Sequence, residues 1–345
     1  MAKADHHDKP YDEGTRKKLE IYTGFLQAWI QVFLHTKAHP GPLRFFDFFS
    51  GPGHDLNGTP GSPLILMEEL ARNRELIANS GRAIEILFND HVPEKGDSLR
   101  RLCDERKYPF VPRIETKDFI QSFDEHKAEI GQSPSFVLLD QCGVKFVTRE
   151  IFQYLAGRST TDILFFFASS NQRRFSNEFA NDLHISTTTP HWEVHRRVAD
   201  CYRGWAPPGY FVGQYSIMKG SNIYGLVFGS GHWLGMFKFL ATDSGEEANY
   251  EIEAETRQGD LFEGHKLTKV EKLAEEIEES IRAHQFQTDG AVALHCIAQG
   301  VLPAKVAPTV YRKLKSDGVL THARDQQPRS SDQAISDPRP LVFPR

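Results

Sequence analysis

The chain has no run of 18 apolar residues, and therefore no segment that reads as a membrane span. Its first dozen residues, Met1 to Asp12, are polar and charged and lack an apolar stretch, so a secretory leader is not expected. Cysteine is scarce. Cys103, Cys142, Cys201 and Cys296 stand far apart with no Cys-x-x-Cys pair, which argues against a zinc ribbon or an iron–sulfur centre and for no metal site. Scattered thiols in a chain without a leader fit a reducing cytoplasm. Positive charge is not in excess: 41 Lys and Arg face 46 Asp and Glu, a net of −5, which excludes a wholly basic nucleic-acid coat protein but not a local basic patch. The polar bias of a disordered chain is missing too, with 39% hydrophobic and 25% charged residues. At 345 residues, length suggests two domains.

The order of patterns divides the chain. Residues 1–14 read as a flexible tail. From Thr15 to Lys37, Leu19, Tyr22, Leu26, Trp29 and Phe33 recur at helical spacing, until His39-Pro40-Gly41-Pro42 ends the helix. Apolar strands follow at Leu43–Phe49, Ala83–Phe88, Phe110–Ile114, Ser135–Leu139 and Asp162–Phe167, separated by helical segments. Runs that are apolar on both faces predict a parallel sheet with helices on both sides. Tyr210–Met218 and Ile223–Phe228 flank Lys219-Gly220-Ser221-Asn222 as a hairpin. The charged stretch Glu246–Asp260 marks a boundary, placing the first domain at 15–260. Beyond it, 261–322 predicts three helices, Thr268–Ala283, Asp289–Gln299 and Pro303–Ser316, and a wing strand from Gly318: a winged helix-turn-helix. The polar segment 323–345 reads as a second flexible tail.

In an open parallel sheet, ligands bind at the carboxyl ends of the strands. Asp47-Phe48-Phe49-Ser50-Gly51-Pro52-Gly53 lies at the first such end, where Gly51 and Gly53 permit a tight turn and close approach of a ligand to the backbone. Asp90 ends the second strand and could accept from both hydroxyls of a ribose; Asp118 follows the third and could accept from an adenine amino group; Asp140 ends the fourth, beside a reaction centre. Each acid alone could be a solvated turn residue; the same position on four successive strands points to a nucleoside. A dinucleotide site competes. The third glycine of that fingerprint is absent, and His54–Gly61 separate the glycine loop from the helix that Ser62 would cap and Pro63 would open. That spacing favours a non-phosphorylated nucleoside such as S-adenosylmethionine.

The chain resembles the three-Cys-motif partner protein family, a branch of class I S-adenosylmethionine-dependent methyltransferase-like proteins. The resemblance spans about residues 15 to 322. It rests on Lys18-Leu19-Glu20-Ile21, Phe25-Leu26-Gln27-Ala28-Trp29, Asp47 through Gly53, Gly61-Ser62-Pro63-Leu64 and Leu139-Asp140-Gln141-Cys142-Gly143. It implies a Rossmann-like seven-stranded methyltransferase sheet with helices on both faces and a C-terminal α+β winged helix. The implied cofactor is S-adenosylmethionine, contacted by Lys18, Asp47, Ser50, Gly51, Gly53, Asp90 and Asp118, with Asp140 as the catalytic residue. The implied partner is a three-cysteine, radical-SAM-like protein, whose cysteines are not those of this chain. Where the family often has Asp-Pro-Phe-Gly, this chain has Asp140-Gln141-Cys142-Gly143; an aromatic that would stack on a flipped base is missing there.

Three further features bear on the acceptor. Cys142 could act as a thiolate nucleophile, although a lone cysteine at a strand end is usually a small buried apolar residue. Arg173 and Arg174, in a polar and aromatic segment after the fifth strand, could contact phosphate. Arg312, Lys313 and Lys315 on the third C-terminal helix could contact DNA or RNA, or form only a solvated face. The alternative to an enzyme is a methyltransferase-like binding module that docks the three-cysteine partner.

Overall fold

A computed structural model describes residues 9–140, 146–168, 194–219, 222–242, 267–321 and 327–344. Helix α1 runs over Glu13–His35, with Asp12 as its N-cap accepting from the Thr15 amide at 2.9 Å. Strand β1 (Leu43–Asp47) follows, then helices α2 (Ser62–Arg72) and α3 (Arg74–Ser80), which divide at Asn73 what the periodicity predicts as one helix. Next come β2 (Ile84–Asn89), α4 (Pro93–Arg106), β3 (Arg113–Glu115), α5 (Phe119–His126), β4 (Ser135–Leu139), α6 (Arg149–Ala156) and β5 (Thr161–Ala168). Helix α7 (Val194–Trp205), the hairpin β6 (Phe211–Lys219) and β7 (Asn222–Ser230), and α8 (Trp233–Leu240) complete this part.

The seven strands form one sheet in the order β3-β2-β1-β4-β5-β7-β6. The first five are mutually parallel, with Phe45 level with Ile86 on β2 and with Phe136 on β4. β7 then runs antiparallel to β5 and to β6. A dinucleotide sheet continues 3-2-1-4-5 with a sixth parallel strand; here the hairpin takes that place, as expected of a Rossmann-like seven-stranded sheet.

Alternation along the strands feeds two cores. Phe45, Phe136, Leu138, Leu164 and Phe228 pack with Tyr22, Phe25 and Trp29 of α1. Phe46, Val137, Leu139, Ile163 and Phe165 face the other way, against Phe119, Phe123, Phe152 and Tyr202 of α5, α6 and α7. A sheet covered on both faces must be apolar on both faces, which is why its strands carry so many Phe, Leu and Ile.

The C-terminal unit holds helices α9 (Lys269–Arg282), α10 (Asp289–Ala298), α11 (Pro303–Ser316) and α12 (Asp332–Ser336). Thr268 and Glu271 close a capping box at the start of α9. Leu273, Ile277 and Ile281 pack on Val306, Val310 and Leu314, and Ile297 of α10 reaches into the core beside α1. Gly318–Leu320 forms no strand; the Thr321 amide donates to the Val342 carbonyl at 2.7 Å instead.

Both expected tails need correction where they are described. Tyr11 is buried and its amide donates to Asp55 Oδ2 at 2.6 Å. At the other end, residues 327–344 are docked rather than loose. Asp289, fully buried, accepts the amides of Arg329 at 2.8 Å and Arg339 at 2.7 Å; Thr288 bridges Pro340; and Ala334 and Leu341 are buried. The polar composition hid this, because the anchor is one carboxylate on a distant helix and two small apolar side chains. Asp289→Ala should leave two buried amides without their acceptor, lowering stability by about 2–4 kcal/mol in urea denaturation. It should also speed proteolytic clipping within 327–344.

Candidate functional site

Because β1 to β4 run parallel, their carboxyl ends lie along one sheet edge. After β1 the chain turns through Phe48–Gly53, with Gly51 at φ 63° and Gly53 at φ 98°, the left-handed region that glycine favours. At Gly53 there is a packing reason as well: a Cβ would lie 3.0 Å from Leu99 Cδ1 of α4. The turn is tied to the end of β2. The Ser50 amide and hydroxyl both donate to the Asn89 carbonyl, at 2.9 and 3.2 Å. The Gly51 amide donates to Asp90 Oδ2 at 3.1 Å, and Asp90 Oδ1 accepts from the Val92 amide at 3.0 Å. These two bonds use about half of the carboxylate's acceptor positions. Ser50, Gly51 and Asp90 are thus one bonded unit.

The spacing argument that kept the glycine loop away from a helix start does not survive. His54 bridges Pro60, and the Gly61 amide donates to the Gly53 carbonyl at 2.7 Å, so residues 54–60 leave and return at one point and α2 begins beside the loop. Asp55 organises that excursion, accepting from Asn57 and Thr59 amides at 2.9 and 2.8 Å through Oδ1 and from Tyr11 through Oδ2. Burial alone would raise the Asp55 pKa, but these bonds to the charged form outweigh it and hold the group below its ordinary value.

What stands at the α2 N-terminus is Asp47. Its Oδ2 accepts from the Ser62 hydroxyl at 2.7 Å and its Oδ1 from the Phe49 amide at 3.1 Å. Ser62 is therefore not the cap; Gly61 is, without a side-chain bond, and Pro63 removes one of the first N–H donors. Burial pushes the Asp47 pKa up to about 7 against both hydrogen bonds, with neighbouring Asp140 raising it further and Lys18 lowering it. A carboxylate at this helix end competes with any phosphate. The preference for a non-phosphorylated ligand stands, but on charge rather than on spacing.

Lys18 projects from α1 to the end of β4. Its Nζ pairs with Asp140 Oδ2 and lies 4.7 Å from the centre of the Phe166 ring on β5. The Lys18 and Asp140 side chains are 13% and 25% exposed. Asp118 stands apart: it is exposed, and its Oδ1 caps α5 by accepting from the Ile120 amide at 2.9 Å. Asn89, which no motif singled out, links it to the rest. Its side chain accepts from the Lys117 amide at 3.0 Å and donates to the carbonyls of Lys117 at 3.1 Å and Phe48 at 3.4 Å. An asparagine just before the strand-end acid was the available signal. Phe166 and Asp55 were also missed, the first read only as a strand residue.

Cys142, Arg173 and Arg174 lie outside the described residues. Arg312, Lys313 and Lys315 are exposed on α11, where Lys313 pairs with Glu278 of α9 at 2.7 Å and Arg312 Nε donates to the Pro308 carbonyl at 3.2 Å.

No family model matches the chain, and no curated protein matches its sequence. Solved structures share a distant likeness. Cofactor-bound Rv0187 from MTB has 10% identity and a TM-score of 0.36, over 64% of this chain and 80% of that one. The delta-N METTL16 methyltransferase domain has 11% identity and a TM-score of 0.34, over 62% and 83%. An O-methyltransferase from Bacillus cereus in complex with SAH has 12% identity and a TM-score of 0.36, over 64% and 91%. Likenesses this remote assign no residue a role.

The Asp47 pKa carries a pH signature. It is raised in the folded chain from 3.8 to about 7, so the folded state holds this proton more tightly than the unfolded state. Its contribution is fully present below about pH 4 and is lost as pH rises through 7. Between pH 5 and 8, Asp47→Asn should gain on the wild type by on the order of 2–3 kcal/mol in urea denaturation, whatever the offset between the two at pH 5.

Proposed function

We propose that the edge formed by Ser50, Gly51, Asp90 and Asp118 binds the adenosyl part of S-adenosylmethionine, and that the chain is a methyltransferase that uses it. The observation that carries this reading is the Asp90 carboxylate bonded to the Gly51 amide. An acceptor-only group is thereby fixed beside a glycine turn at the second strand end. The donor set fits: ribose hydroxyls and an adenine amino group are donors, and Asp90 and Asp118 are acceptors. Asp47 and Asp140 make the neighbouring edge favourable for a cation. When bound, S-adenosylmethionine supplies a methyl group on cationic sulfur, an electrophile that needs positioning more than covalent help. Asp90 would hold the ribose, Asp118 the adenine, and Gly51 and Gly53 would let the ligand lie close to the backbone. Asp140 would orient the acceptor and take its proton.

The acceptor belongs, in this reading, to nucleic acid or to a nucleic-acid-associated partner, as for the three-Cys-motif partner type. Its support is the basic, exposed set Arg312, Lys313 and Lys315 on α11, with Arg173 and Arg174 nearer in sequence to the fifth strand. A C-terminal winged helix would present α11 to the phosphates. The pairing of Asp140 with Lys18 favours a second reading, a module kept for docking a three-cysteine partner, because a paired carboxylate is a poor base.

Titration calorimetry with S-adenosylhomocysteine separates the two. The wild type should bind, and Asp90→Ala should weaken binding at least about tenfold while unfolding as a single transition. A wild type that does not bind leaves the docking module. On nucleic acid, Arg312→Ala and Lys315→Ala should each lower the slope of log affinity against log salt by about one.

A further inference from the structure

We propose that Lys18 serves two carboxylates in turn: that of Asp140 in the free chain, and that of the cofactor's amino-acid end once it binds. Cofactor binding then releases Asp140 to receive the methyl acceptor. The proposal rests on the reading of the crevice given above and adds to it an order of binding.

The first support is mechanical. The base of Lys18 is fixed. Asp12 caps α1, the Tyr11 amide is held by Asp55, and Ile21, Tyr22 and Phe25 are buried against the sheet. Only the four-carbon stem and its ammonium can swing, and they do so across the Phe166 face, 4.7 Å from the ring centre. That face offers the ammonium the same cation–π contact whichever carboxylate it pairs with. Lysine suits such a role: it is a compact charge on a flexible stem with three rotatable donors, where arginine would be locked into one fork geometry.

The second support is charge. The edge beside Lys18 already holds Asp47 and Asp140, close enough to repel each other. An amino-acid end brings a third carboxylate to that edge. Lys18 is the cation that the described residues place there, and Asp140 uses one of its three donors. Exchanging one partly exposed ion pair for another costs little, because each is worth on the order of 1 kcal/mol or less where water reaches it.

The third support is chemical. While paired to Lys18, Asp140 is held as a carboxylate whose lone pairs face an ammonium. Once Lys18 turns away, the same oxygen can accept from an amine or hydroxyl of the acceptor. The pairing seen here is then the resting form of an ordered site, and the objection it raised against catalysis becomes the means of ordering.

Calorimetry with two probes tests this: S-adenosylhomocysteine, and 5′-methylthioadenosine, which has the adenosyl part but no amino-acid end. Lys18→Met should weaken the first about tenfold or more and leave the second within about twofold. Asp140→Asn should tighten S-adenosylhomocysteine by about threefold or more, because the competing carboxylate is gone, and leave 5′-methylthioadenosine unchanged. The sign for Asp140→Asn is decisive. Weaker binding of S-adenosylhomocysteine to that variant, or equal loss of both probes in Lys18→Met, overturns the exchange while leaving the crevice reading intact. A wild type that binds neither probe removes both. Thermal unfolding of each variant checks that it is folded, and should Lys18→Met not fold, Asp140→Asn alone decides.

Discussion

Parallel pairing is the constraint on which this molecule turns. A parallel strand cannot be reached from its neighbour by a tight turn; the chain must cross over, here by helices that cover both faces of the sheet. Every crossover returns the chain to the same starting edge, so β1 through β4 all end together. Four acids that are far apart in sequence, Asp47, Asp90, Asp118 and Asp140, thereby come to one edge. They are not equivalent there. Asp47 is buried and bonded inward to Ser62, Asp90 holds the glycine turn, Asp118 caps a helix in solvent, and Asp140 faces a lysine. Environment, rather than residue type, separates their roles.

Much of the sheet was legible because a strand buried on both faces must be written in Phe, Leu, Ile and Val. Leu43–Asp47 and Ser135–Leu139 are such strands, and the hairpin announced itself by two apolar runs around Gly220-Ser221. What escaped the sequence were bonds made across long separations. Lys18 to Asp140 spans 122 positions, and Asp289 to Arg339 spans 50. Nothing in local periodicity encodes either. Composition also misled: the charged and proline-bearing end of the chain reads as solvent-loving, yet a buried carboxylate and a short helix tie it down.

The site was legible in outline for the same reason. Acids at strand ends follow from strand prediction, so Asp90 and Asp140 could be placed before any coordinates. Their partners could not. Ser62 sits where an N-cap would, and its identity suits one, but its hydroxyl is drawn to Asp47 because a buried carboxylate is a stronger acceptor claim than a helix end with Gly61 already in place. Asn89 looked like punctuation between a strand and an acid. It is the clip that joins the β1 turn to the segment before Asp118.

The excursion at residues 54–60 has an implication for how such chains can vary. Its two ends are stitched together by Gly53 and Gly61, so nothing at its far point transmits force to the glycine turn. Leu56 there is 68% exposed, and a side chain added at Gly58 would meet open space. Loop closure cost rises only slowly with length. The far point is therefore a place where related molecules can acquire extra residues, or an engineer can splice a tag, provided Asp55 keeps its hold on the entry to α1.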